Sequence, residues 1–308
     1  MAHAALVEEF ESHRQHLLSV AYRLTGSVSD AEDAVQESWL RLDDAGGAHI
    51  RDLGGWLTTV VGRICLDRLR SAAVRREHYV GQWLPEPIVS SLSPSREPDP
   101  LEVVVREEDN RLAALIVLDS LTPQQRVAFV LHDGFGVPFA DVADLLGIEI
   151  PAARQLASRA RKVAATTTPA VPDEEHARAV QRLLRALASG DVDAVVAALH
   201  PDALVIGDAN GTTSTAVHII RGADKFARFF LGLARRYGPE AFATLQPALV
   251  NGQLGVLGTG IVGVDGRSSS PPRIGGFTVR DGVVCAAYDI ANPEKFHGIR
   301  LAGSHRPS

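Results

Sequence analysis

Cysteine is nearly absent from this chain. Only Cys65 and Cys285 occur in 308 residues; they lie far apart and at no metal-ligand spacing. That excludes a disulfide framework and a thiolate metal site, and it points to a reducing compartment. No apolar run approaches the roughly twenty residues needed to cross a bilayer. The start, Met1 to Glu9, has neither the basic charge nor the apolar core of a secretory signal. The expectation is a cytoplasmic protein without membrane association. Positive charge is not in excess either: 31 Lys and Arg stand against 37 Asp and Glu, a net charge of −6. Indiscriminate polyanion binding is excluded, and any nucleic-acid contact must use local basic faces. What is present is a hydrophobic fraction of 45%, enough to bury a real core, over a length that suits two or three modest domains.

The most informative stretch is 122–162. Thr122 is an N-cap residue type and Pro123 suits the first helical position. A short apolar helix, Val127 to His132, is broken by Gly134 and Gly136. A second helix follows from Phe139 to Leu146, with Phe139, Val142, Ala143 and Leu146 on one face, and Gly147 stops it at a C-cap position. After a short turn, residues 151–162 form a helix with Arg154, Arg159, Arg161 and Lys162 and no acid. This is the pattern of a helix-turn-helix whose last helix enters a DNA major groove. Arg grips guanine bidentately and Gln does the same for adenine. Gln155, Ser158 and Arg159 share a face, while Leu156 and Ala160 can pack inward. Arg161 and Lys162 suit phosphate contact or the helix dipole. Taken alone, the motif fits a DNA reader or an ordinary helical hairpin with a solvated basic end.

Upstream, residues 6–25 read as a helix with Phe10, Leu17, Leu18, Ala21 and Leu24 apolar, stopped by Gly26. Ser29 or Asp30 is expected to cap the next helix, 30–42. Its apolar face is Ala31, Ala34, Val35, Trp39 and Leu42; its polar face carries Asp30, Glu32, Asp33, Gln36 and Glu37. The pattern by itself favours a solvated amphipathic face over a docking surface for a basic partner. A third helix, 53–77, places Trp56, Val60, Ile64 and Leu69 toward a core. Its five arginines, Arg63, Arg68, Arg70, Arg75 and Arg76, face only Asp67 and Glu77, as in a phosphate-contacting stripe.

Residues 79–107 hold Trp83-Leu84-Pro85-Glu86-Pro87 and a second proline cluster at 94–100. This density of proline predicts a linker without regular structure, although burial of Trp83 against a folded surface would be favourable. A second linker spans 166–172. From 173 the character changes. A helix from Glu174 to Ser189 and a short one after Asp191 precede His200-Pro201-Asp202, read as a turn. Strand-like runs follow at 203–206, 215–220, 248–250, 254–262, 274–280 and 283–290, interrupted by a helix at 224–237. Asn251-Gly252 and Asp281-Gly282 are hairpin signals. The expectation is an α+β domain with helices on a curved antiparallel sheet. His200, Asp202, Asp208, Asp265, Tyr288 and Asp289 are acid–base residue types, but no spacing forces two of them together.

Leu24-Thr25-Gly26, the 30–41 helix, Trp56-Leu57 and Asp67-Arg68-Leu69-Arg70 resemble region 2 of extracytoplasmic-function sigma factors. Leu121 through Arg161 resembles their region 4. The order helix, Gly-Asp, short helix, His-Pro-Asp, strand resembles the SnoaL-like, NTF2-like cone, some members of which are enzymes. Trp83-Leu84-Pro85-Glu86-Pro87 matches the linker motif of sigma factors carrying such a fused domain. Asn292-Pro293-Glu294-Lys295-Phe296 is similar to their C-terminal motif, with Phe in place of Leu. Their Asp-Gly-Gly-Gly-Lys loop aligns with 208–212, where only Asp208 and Gly211 match.

The resemblance implies a multi-domain protein: sigma region 2 (1–78), linker (79–107), sigma region 4 (108–165), linker (166–172) and an α+β SnoaL-like cone (173–308). It implies a non-enzymatic sigma factor that binds core RNA polymerase and promoter DNA, without cofactor or metal. Asp30, Glu32, Asp33, Gln36 and Glu37 would dock on the clamp helices of the largest polymerase subunit. Arg63, Arg68, Arg70, Arg75 and Arg76 would serve the −10 element. Arg154, Gln155, Ser158, Arg159, Arg161 and Lys162 would serve the −35 element. Trp83, Leu84, Pro85, Asn292, Pro293, Lys295 and Phe296 would form an interdomain contact through which the cone acts in cis. A small ligand in the cone is compatible with this reading, and a separate anti-sigma factor is not required. Two other readings remain open on sequence: a helix-turn-helix regulator independent of polymerase, and an enzyme with a DNA-binding appendage.

Overall fold

The structure is a computed structural model that describes all residues except Met1, 47–49, 77–78, 93–99, 105–109, 263–268 and 301–308. The chain divides into two units, one of residues 1–78 and 98–167, the other of residues 79–97 and 168–308.

The first unit is helical. α1 (Ala2–Thr25), α2 (Val28–Ala45) and α3 (Leu53–Arg76) pack mutually. The apolar positions expected on α1 are all buried, Phe10, Leu17, Leu18, Ala21 and Leu24 among them. α2 is capped by Ser27, not Ser29 or Asp30: its side chain accepts from the Asp30 amide, so the helix begins two residues earlier than expected. After α4 (Pro100–Val104) and α5 (Leu112–Asp119), Thr122 and Gln125 form a capping box around α6 (Pro123–Phe129). A π-helical turn, Val130–Gly134, carries the chain to α7 (Phe139–Leu146), and Gly147, at φ 66°, caps α7. α8 (Ile150–Ala164) closes the motif. Its inner face is alanine: Ala153, Ala157 and Ala160 are fully buried, which lets α8 approach α6 and α7 closely. α3 packs on α6 and α7, and a Cβ added at Gly62 would meet Leu145 at 2.9 Å and Leu131 at 3.0 Å.

The second unit is one eight-stranded sheet in the order β3-β2-β7-β6-β5-β4-β1-β8, with helices on one face. α9 (Asp173–Ser189), α10 (Val192–Ala197) and α11 (Ala223–Tyr237) enclose a core with β2 (Leu199–Asp208), β5 (Gln253–Gly258), β6 (Arg273–Arg280) and β7 (Val283–Ile290). Val180, Leu183, Phe226 and Val205 are at its centre. Both hairpin signals hold: Asn251-Gly252 turns β4 (Leu245–Val250) into β5, Asp281-Gly282 turns β6 into β7, and all four residues have positive φ.

Several expectations are corrected. The sheet is mixed, because β2 pairs parallel to β7 while the β4–β5–β6–β7 meander is antiparallel. His200-Pro201-Asp202 lies within β2, where the pairing slips register between Leu199 and Leu204, and is not a turn. Of 215–220 only Ile220 is in a strand, as part of β3 (Ile220–Arg221); in the loop before it, the Thr215 hydroxyl donates to Asp289 and the Ser214 carbonyl accepts from Arg273. A short helix, α12 (Pro239–Ala243), follows α11.

The 79–107 segment also differs from a structureless linker. Its first part belongs to the second unit, and β1 (Val89–Ser90) lies between β4 and β8 (Ile299–Arg300). Prolines 85 and 87 precede β1, so Ile88 and Val89 keep the amides a ladder needs. Ile88 exchanges bonds with Asn251, at 3.1 and 2.8 Å, and the Val89 amide donates to the Gly298 carbonyl at 2.9 Å. The later part contributes α4 to the first unit.

Candidate nucleic-acid interface and linker clamp

α8 has two chemically distinct faces. With its alanines inward, Arg154, Gln155, Ser158, Arg159, Arg161 and Lys162 are all exposed. Glu149 occupies the N-cap but its side chain makes no capping bond; the Ala152 and Ala153 amides donate instead to the Glu149 carbonyl, at 3.0 and 3.1 Å, and Pro151 has no amide to satisfy. Two of the six are engaged within the unit. Arg161 Nε donates to Asp133 at 2.5 Å, and the Arg154 guanidinium lies 5.7 Å from the centre of the Phe139 ring.

On α3, Arg63 and Arg70 are exposed. Arg63 lies 3.9 Å from Asp144 of α7, and Arg70 lies 3.6 Å from Asp67. Arg68 behaves differently. It is half-buried and donates to Asp30 at 2.8 Å and to Asp33 at 3.3 Å. Partial burial opposes its charge, but the two carboxylates hold the guanidinium above its ordinary pKa. Arg68 thus ties α3 to α2 and is not part of an open basic stripe. The side chains of Arg75 and Arg76, in the last turn of α3, lie outside the described residues. On α2, Gln36 and Asp33 are exposed, Glu37 pairs with Arg41 at 2.5 Å, and Glu32 is half-buried.

A second set of contacts lies in the cone. Asp208, at the end of β2, is fully buried. Its carboxylate accepts from the Tyr79 hydroxyl, from the Leu84 amide at 2.7 Å, and from the Lys295 ammonium. Lys295 is itself buried; it also donates to the Leu84 carbonyl and sits 4.2 Å from the centre of the Trp83 ring and 5.4 Å from that of Tyr79. Such placement over aromatic faces favours a cation. Asn292 donates to the Tyr79 hydroxyl at 2.9 Å and caps the turn at Pro293–Lys295. Burial and the Asp208 hydrogen bond push the Tyr79 phenol well above its usual pKa, so it remains a donor. His297 lies 3.3 Å from the buried Glu86. A Cβ at Gly298 would fall 2.2 Å from the Pro87 carbonyl oxygen, so the linker backbone rests directly on that glycine.

The structure therefore brings Trp83, Leu84, Asn292 and Lys295 together. Pro85 is buried, Phe296 half-buried and Pro293 exposed. Sequence reasoning missed Tyr79 and read Asp208 as an acid–base residue type and as a match to the family loop, without a partner for it. Its place in the loop aligned with the family motif was the available signal. Among the described residues, Tyr288 and Asp289 line one pocket of the cone, and the other acid–base candidates lie apart from it. Asp208 is held by the clamp, His200 lies 2.7 Å from Arg280, and Asp202 is exposed. Tyr288 and Thr278 share a hydrogen bond, and Asp289 pairs with Arg273 at 2.6 Å. Asp265 lies outside the described residues.

Residues 10–75 match the Sigma-70 region 2 family, residues 112–163 match Sigma-70 region 4, and residues 180–287 match the SnoaL-like domain. The chain belongs to the ECF RNA polymerase sigma factors. Members of this class are transcription initiation factors, not enzymes, and they bind core RNA polymerase and promoter DNA. Among its relatives is the ECF RNA polymerase sigma factor SigJ of Mycobacterium tuberculosis, 59% identical over 96% of this chain and 94% of the relative. The crystal structure of SigJ matches with a TM-score of 0.82 at 56% identity, covering 96% of this chain and 99% of that one. The probable ECF sigma factor SigI of the same species is 34% identical over 72% of this chain and 75% of the relative.

Proposed function

We propose that this sigma factor is regulated in cis by its cone, which grips the segment joining region 2 to region 4. The observation that carries this reading is the buried Asp208–Lys295 pair closed on Tyr79, Trp83 and Leu84. In the same reading α8 serves the −35 element through Gln155, Ser158 and Arg159, with Arg154, Arg161 and Lys162 supporting. α3 serves the −10 element through Arg63, Arg70, Arg75 and Arg76. The polar face of α2 docks on the clamp helices of the largest polymerase subunit, in the cytoplasm. There Asp33, Gln36 and Glu37 are the reachable groups, while Asp30 acts mainly through Arg68. This reading needs no separate anti-sigma factor, and a small ligand in the cone is compatible with it. Run-off transcription with purified core polymerase, comparing the full chain with its Trp83→Ala variant, tests the regulation. Truncating a buried aromatic anchor commonly costs ~2 kcal/mol or more, so the variant is expected to change transcript yield. Equal yield from the same promoters would refute control through the linker.

A further inference from the structure

Seven residues, close to two turns, separate Arg154 from Arg161, so both stand on one flank of α8 beside the buried Ala153, Ala157 and Ala160. Gln155, Ser158, Arg159 and Lys162 occupy the outer face. The two flank arginines are engaged by the chain that precedes α8. Arg154 lies over the Phe139 ring, and Arg161 reaches the Asp133 carboxylate through Nε at 2.5 Å and through Nη2 at 3.5 Å. Asp133 belongs to the π-helical turn, and that turn is fixed from several sides. The His132 ring stacks on Phe139 with centroids 3.6 Å apart, and its Nδ1 donates to the Val137 carbonyl at 2.9 Å. A Cβ at Gly134 would meet the Arg23 guanidinium at 2.7 Å. Single π turns are rare and frequent at functional sites. This one carries a carboxylate to the C-terminal half of the basic helix, where the Asp133 side chain keeps only 23% of its exposure.

These contacts divide the basic residues of α8 into two sets. The outer set is open to DNA. Arg161 carries the charge to grip a phosphate, but its Nε and Nη2 edge already rests on a carboxylate. A phosphate taking that edge would sit beside Asp133 and meet like charge. Phosphate contacts add affinity for any sequence and carry no base information. We propose that Asp133 is a specificity-setting residue: it withholds Arg161 from the DNA backbone, which lowers sequence-independent binding and leaves readout to the outer face. Arg161 then serves recognition by position, as a strut between α8 and the π-helical turn. This rests on the reading of α8 as the −35 reader.

The test titrates a random-sequence duplex of about 30 base pairs with the full-length protein, by fluorescence anisotropy, at about 25 to 200 mM salt. Each phosphate contact adds about 0.9 to the slope with which log K falls against log salt. Asp133→Asn should steepen that slope by about 0.9 and tighten binding about eightfold at ~0.1 M salt. It should do so only while Arg161 is present; in an Arg161→Ala background the same change should leave the slope in place. Arg161→Ala alone should keep the wild-type slope, whereas Lys162→Ala on the outer face should flatten it by about 0.9. A merely structural Asp133 would instead weaken binding when replaced. Equal tightening by Asp133→Asn with and without Arg161 would reduce the effect to net charge and overturn the proposal. Flattening by Arg161→Ala would overturn it too, even if Asp133→Asn fails to fold, since Arg161 would already hold a phosphate; α8 would remain the reader. If neither Arg159→Ala nor Lys162→Ala changes binding, or no variant binds, the reading of α8 falls and the proposal with it.

Discussion

Replacing Lys295 with Met removes the ammonium at nearly constant volume and leaves Asp208 buried without its counter-charge. Breaking one side of a buried pair costs about 3–5 kcal/mol. At about 1.4 kcal/mol per decade that is a factor of roughly 150 to 5,000 in an opening equilibrium. The molecule has a cheaper response than unfolding. Asp208 faces Tyr79 and Leu84, so lifting the linker away lets water reach the carboxylate while the strands stay paired. Amide hydrogen exchange discriminates the two. The amides of Leu84, Ile88 and Val89, bonded to Asp208, Asn251 and Gly298, are expected to lose protection by that factor, up to the limit of full release. The paired strands β6 and β7 should keep theirs. Adding Asp208→Asn to Lys295→Met removes the stranded charge and should restore most of the protection. An equal loss across β2, β6 and β7 would mean that the pair holds the cone and not the linker. No loss anywhere would mean that the pair contributes nothing.

Gly298→Ala should release the same amides by a different route, since its Cβ collides with the Pro87 carbonyl and not with a flexible side chain; exchange at Val89 reads it. Arg159→Ala and Gln155→Ala on the exposed face of α8 are each expected to cost ~1–3 kcal/mol of discrimination between native and scrambled −35 sequences, measured by competition binding with the holoenzyme. Charge reversal at Asp33 and Glu37 should abolish recovery of core polymerase in a pull-down. Circular dichroism checks that the fold survives: the Glu37–Arg41 pair is a surface one worth about 0.2–1 kcal/mol, and Arg68 keeps its shorter bond to Asp30 when the exposed Asp33 is reversed. Cys65 is buried in the first unit and its thiol is pushed up to about 12 by burial, so it should resist maleimide at pH 8 in the native state and react once the protein is denatured.

The helices of the first unit were legible because helical spacing, caps and stops agree. Gly26 and Gly147 end α1 and α7, and the apolar positions read from α1 are the ones buried. The hairpins of the cone were legible for a similar local reason: Asn-Gly and Asp-Gly turns take positive φ readily. What failed was non-local. Nothing near Val89 announces that its partners are Val250 and Ile299, so a proline-flanked segment that completes a distant sheet read as a tether. Arg68 looked like one of a basic stripe because Asp30 and Asp33, 38 and 35 residues earlier, are neighbours only after α2 and α3 pack. The clamp was half legible. Its Trp83 and Lys295 ends follow from the motifs, whereas Tyr79 and the role of Asp208 depend on β2 ending beneath the linker.

The first unit also constrains what the clamp can do. Elements at −35 and −10 lie about 25 base pairs apart, or ~85 Å along B-form DNA at 3.4 Å per pair. A folded unit of about 150 residues has a radius of gyration near 15 Å. α3 packs against α6 and α7, with Leu131 and Leu145 around Gly62 and Arg63 beside Asp144. Under the proposed assignment of α3 and α8, both readers cannot reach their elements while this contact persists, so promoter engagement would require region 2 to part from region 4. The tether then sets the reach. α4 packs on α1, so the tether runs from the end of α3 to the start of α5, about 35 residues and enough for ~120 Å if fully extended. Residues 79–90 carry the clamp contacts, which hold about a third of that length. Under the proposed regulation, the cone need not touch DNA or polymerase to govern initiation: holding or releasing those residues changes the separation that the two readers can span.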